Sequence, residues 1–87
     1  MPYTNSHIRL AEKIDRWVKD IQKRGGGDLE ILQGMYEYMA SFKTIMDASG
    51  PREMETLCEK YAGFYHFAQI LENLAGAIRD GWIEVPK

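Results

Sequence analysis

Two glycine-centred breaks, Gly25-Gly26-Gly27 and Ser49-Gly50-Pro51, cut the 87-residue chain into three runs. Each run repeats its apolar residues at helical spacing, which predicts a small all-α protein. The expected architecture is a three-helix up-down bundle forming one domain over residues 1–87, with helices near 6–24, 28–48 and 51–80. The third is long enough to kink, and a short C-terminal tail follows it. The size fits one domain.

The first helix is expected to start at an Asn5 or Ser6 N-cap. Leu10, Ala11, Ile14, Trp17, Val18 and Ile21 then share an arc of about 120° at 100° per residue. Arg9, Lys13, Arg16, Lys23 and Arg24 gather on the adjoining flank, with Asp20 among them. This flank is a candidate basic strip for an acidic partner. The triple glycine reads as a flexible link.

The second helix, opening at Asp28, carries Ile31, Leu32, Met35, Tyr36, Tyr38, Met39, Phe42, Ile45 and Met46 over about half its cylinder. One neighbour needs a narrower stripe, so this helix is expected to be central. The third helix, with Pro51 at its first position and Gly81 as its stop, changes face. Met54, Leu57, Cys58, Tyr61, Tyr65 and Ala68 share one side. Phe64, Phe67, Leu71, Leu74, Ala75 and Ile78 share another. Gly63 lies at the change and marks the expected bend. The first half should meet the other two helices, and the second half another chain or the tail.

The predicted core is Leu10, Ile14, Trp17, Ile21, Leu32, Met35, Met39, Phe42, Met46, Leu57, Tyr61, Phe64 and Leu71. These faces exceed what one first helix and a tail can cover, and large apolar patches are uncommon on monomers. A homodimer is therefore expected, with Phe67, Leu71, Leu74, Ile78 and Trp82 as its candidate interface. The competing arrangement folds Trp82, Ile83 and Val85 over that face.

Chemistry is sparse. His7, His66 and Cys58 have no metal-ligand spacing, so no metal or cofactor is expected. His7 should sit at the surface and His66 on a polar side. Cys58, the sole cysteine, should be a small core residue, and His66 is too far round the helix to act as its base. No catalytic residue is expected, and the chain is not read as an enzyme. The triple glycine follows a helix and lacks the Gly-Lys-Ser/Thr ending of a phosphate loop.

Net charge is −2, split as +3 over residues 1–24 and −5 over residues 25–87. The helix after Ser49-Gly50-Pro51 begins Arg52-Glu53-Met54-Glu55, and its carboxylates oppose DNA or RNA binding. No stretch is long and apolar enough for a membrane span, and the N-terminus lacks a signal region. The expectation is a cytoplasmic, non-enzymatic protein-interaction module: an adaptor, inhibitor or assembly factor. The alternatives are a small-ligand or cofactor carrier within the bundle, or a nucleic-acid-associated regulator.

Overall fold

The computed structural model describes residues 3–81, apart from the side chain of Ile78. Five α-helices and one 3-10 turn follow one another: α1 (Asn5–Lys23), α2 (Asp28–Gly34), the turn Met35–Tyr38, α3 (Met39–Ala48), α4 (Pro51–Lys60) and α5 (Ala62–Arg79). No strand occurs among the described residues. The all-helical class stands. The expected second and third helices each divide in two, so the three-helix count is corrected.

Thr4, rather than Asn5 or Ser6, caps α1. Its Oγ1 accepts from the Ser6 amide at 3.3 Å, and its own amide donates to His7 Nδ1 at 3.0 Å. The imidazole takes the place of the Glu or Gln of a usual capping box. His7 is therefore buried, not at the surface as its first-turn position suggested. Its ring also stacks on Tyr3.

At the other end, Gly25 adopts φ 85°. Its amide donates to the Gln22 carbonyl at 3.1 Å, and the Gly26 amide donates to that of Ile21 at 2.9 Å. This is a Schellman stop, which needs a left-handed residue at Gly25. The triple glycine is thus an ordered turn rather than a free link. Gly27 then serves as the extended N-cap of α2.

The centre of the bundle is α1, which packs against α5, α3 and α2, whereas α4 packs chiefly on α5. This corrects the expectation that the second helix is central, and it also shows the second half of the third run, α5, packed on α1 within the chain rather than reserved for another chain or the tail. The core holds Ala11, Ile14, Val18 and Ile21 of α1, Ile31 of α2, Met35 of the turn, Phe42 and Ile45 of α3, Leu57 of α4, and Phe64 and Phe67 of α5. Phe42 joins the aromatic centre, with ring centroids 5.5 Å from Phe64 and 5.4 Å from Phe67.

Leu32, Met39 and Met46, all expected inside, are exposed. The 3-10 turn is the reason. It advances side chains by about 120° per residue instead of 100°, so Met39 leaves the face that Met35 occupies. The bend forms where Gly34 lies on the Trp17 indole. A Cβ at Gly34 would come 2.5 Å from Trp17 Cζ2. Tyr38 stacks on the same indole at 4.6 Å, and Phe67 meets its edge at 6.3 Å.

The third run breaks at Tyr61, not at Gly63. Tyr61 is extended, with φ −122° and ψ 92°. Its amide closes α4 on the Leu57 carbonyl, and its own carbonyl receives the Tyr65 amide of α5. Gly63 lies inside the first turn of α5. Its amide donates to buried Asp15 Oδ1 at 2.7 Å. A side chain on α1 therefore caps α5 across the bundle, satisfying a first-turn donor that otherwise has no partner. A Cβ at Gly63 would stand 2.5 Å from the Asp15 carbonyl oxygen. Close approach, not flexibility, requires glycine here.

Candidate docking surface

The expected interface residues fall into three groups. Phe67 is fully buried within the chain, against Phe42 and Trp17, and cannot belong to a surface. Leu71 and Leu74 are half-buried and line grooves on either side of α5. The Ile78 side chain and Trp82 lie outside the described residues, as do Ile83 and Val85.

On one side of α5, a groove of about 390 Å³ is lined by Asp28, Leu29, Leu32, Ile70, Asn73, Leu74 and Ala77. A smaller one of about 180 Å³ continues it past Met35, Tyr36 and Met39, sharing Leu32 and Leu74. Together they form a trough along the seam of α2, the 3-10 turn and α5. Leu29 is 68% exposed and Tyr36 is 87% exposed, so their apolar surface stands open on the outer wall. From Leu29 to Met39 the wall runs roughly 17 Å, the length of about three helical turns. Across α5, a second groove of about 330 Å³ runs between Phe42, Met46, Met54, Ala68, Leu71, Glu72 and Ala75.

The trough follows from the local sequence. In α2, Ile31 turns inward while Leu29 and Leu32 do not. The 3-10 turn then points Met35 into the core and leaves Tyr36 and Met39 outside. The surplus of apolar residues on the expected second helix was the legible signal of this surface. Its location was not legible, because that depends on the bend at Trp17.

At the head of the trough, Asp28 Oδ1 lies 2.7 Å from His66 Nε2, joining the start of α2 to α5. His66 thus sits on a polar side, as expected. The remaining polar contacts are structural. The Tyr61 hydroxyl donates to Glu12 Oε1 at 2.9 Å, and this bond is the main cause holding the phenol pKa above its usual value. Burial pushes the Cys58 thiol up. Cys58 is half-buried beside Glu55, Glu59 and Tyr65, rather than deep in the core.

The candidate basic residues Arg9, Lys13, Arg16, Lys23 and Arg24 are all exposed on the outer face of α1. Arg24 approaches Glu30 at 3.8 Å. Neighbouring Lys19 pairs with Asp15 Oδ2 at 3.1 Å. Most of the strip lies along α1, and only its end, at Arg24, reaches α2.

Among the described residues, no cluster of three or more His, Cys, Asp or Glu side chains is placed to hold a metal ion. No described helix is long and apolar enough to cross a membrane. Compared with protein-family models, curated proteins and solved structures, the chain matches none.

Proposed function

We infer that this chain is a non-enzymatic helical interaction module and that the α2–α5 trough is its docking surface. The observation that carries the reading is the continuous run of exposed apolar side chains, Leu29, Leu32, Tyr36 and Met39, beside half-buried Leu74. Burial of such surface contributes about 25 cal/mol per Å². A trough of this length suits a helix presenting anchors at i, i+3 or i+4 and i+7. Methionine and tyrosine in its wall give adaptable and amphipathic contacts.

Self-association is the second reading. Leu71 and Leu74 favour it, since both keep exposed area on α5. Sedimentation equilibrium separates the two readings: a clean monomer at tens of micromolar removes the dimer.

Affinity purification from the native host tests the docking surface. Wild type is compared with a Leu32→Ser, Tyr36→Ser variant, whose changes lie at exposed positions and leave the fold intact. Proteins retained by wild type and lost by the variant support the trough. An identical retained set from both chains overturns it.

A further inference from the structure

We propose that the outer face of α1 is a second docking surface, and that its occupant is an acidic helix of another protein. This goes beyond the trough and does not depend on it.

Over residues 1–24, six cations meet three acids. The fold takes two of those acids out of play. Glu12 accepts from the Tyr61 hydroxyl at 2.9 Å. Asp15 is buried, and its two oxygens take the Gly63 amide and the Lys19 ammonium. Arg24 in turn meets Glu30. Arg9, Lys13, Arg16 and Lys23 are left exposed and, among the described residues, form no ion pair. On an α-helix these four share about 80° of arc and span about 21 Å. Asp20, also exposed, shares that arc and separates Lys23 from the others. Arg9, Lys13 and Arg16, at i, i+4 and i+7, are the uninterrupted part, about 10 Å long. The helix dipole does not account for these three, because it favours cations in the last turn and they lie before it.

Spacing selects the partner. A helix with carboxylates at i, i+4 and i+7 offers one charge to each of the three cations over the same length, and such complementarity fixes register. Duplex nucleic acid carries one charge per about 1.7 Å of axis, or about twelve over 21 Å, more than four cations interrupted by Asp20 can match. Residues 25–87, at a net −5, would add repulsion. A second copy does not supply the helix, because nowhere in the 87 residues do Asp or Glu recur at i, i+4 and i+7. Exposed ion pairs are individually weak, so the three must act together.

The test uses two labelled helical peptides of about 14 residues, roughly 21 Å long. They differ only in glutamate or glutamine at i, i+4 and i+7. Fluorescence anisotropy with the full chain at low salt should show the glutamate peptide binding at least about tenfold tighter. The gap should close as the Debye length falls from about 30 Å at 0.01 M to about 3 Å at 1 M. An Arg9→Gln, Lys13→Gln, Arg16→Gln variant should lose the preference. Glutamine has a similar helix propensity, so its circular dichroism should match wild type. A Lys43→Gln, Arg52→Gln, Lys60→Gln variant removes the same charge outside α1 and should keep the preference.

Equal binding of the two peptides, or binding of neither, overturns the proposal. An equal loss in both variants also overturns it, since net charge rather than the strip would then be responsible. Retention of the preference by the α1 variant does the same, by placing the contact elsewhere. A labelled DNA duplex is the last arm. If the duplex displaces the glutamate peptide from wild type and fails to bind the α1 variant, the strip is a nucleic-acid surface and the acidic helix falls.

Discussion

Asp15 ties three groups together with one carboxylate: its own helix, the Gly63 amide of α5 and the Lys19 ammonium. The close approach around it inverts an ordinary rule. Glycine inside a helix normally costs about 1 kcal/mol relative to alanine. At Gly76 that rule should hold, because among the described residues an added Cβ would meet only Arg79 Nη2, at 3.6 Å. Gly76→Ala should therefore stabilise by about 0.5–1 kcal/mol. At Gly63 the same change drives a methyl into the Asp15 backbone, and overpacking of this kind costs about 1–3 kcal/mol. Urea unfolding midpoints of the two variants should move in opposite directions. Tyr61 gives a pH dependence at the same scale. Its phenol pKa is raised, first by the hydrogen bond to Glu12. The stabilisation is present in full below the ordinary phenol value near 10 and is lost as pH rises through the folded-state value. Thermal unfolding followed across that range should fall more steeply for wild type than for Tyr61→Phe. Parallel curves would show that the bond to Glu12 adds nothing to stability.

Among the elements, α2 is the least secured. It has seven residues and no side-chain cap, and it lies between the glycine turn and the 3-10 turn. One side chain, Ile31, anchors it in the core. Helices this short have little stability of their own. Hydrogen exchange should therefore be fastest, within the helices, over Asp28–Gly34 and slowest in the buried middle of α1. Equal protection in α1 and α2 would mean that α2 unfolds only with the whole chain. The elements also show where the sequence could be read. The two breaks at Gly25–Gly27 and Gly50 are local events, carried by residues whose backbone preferences announce them. The break at Tyr61 was signalled by the change of face near Gly63, but its exact place was not. That place is set where Asp15, 48 residues before Gly63, holds the Gly63 amide. The 3-10 turn is equally tertiary in origin, since Gly34 yields to the Trp17 indole. The candidate site was legible to the same degree. Leu74 and the surplus apolar arc of the second run pointed to it, while Leu29 and Tyr36 acquired their place only through that bend.

For the molecule as a whole, the core and the second groove meet within α3. Phe42 lies inside the aromatic centre, and Met46, one turn later, is 51% exposed on the groove across α5. If the chain folds as a single independent unit, only the first position should matter for stability. Phe42→Ala removes a ring packed on Phe64 and Phe67 and should cost about 3–5 kcal/mol. That is a large share of the 5–15 kcal/mol typical of a domain. Met46→Ser should change stability by less than about 0.5 kcal/mol, as surface substitutions usually do. Both changes are read from urea unfolding at two protein concentrations a hundredfold apart. For a monomer the midpoints stay fixed. For an obligate dimer they rise with concentration, because association favours the folded state by mass action. A large cost at Met46 that appears only at the higher concentration would place this groove, rather than the trough, in a self-interface. A large cost at both concentrations would show that α3 buries Met46 within the chain, against the exposure that defines the second groove.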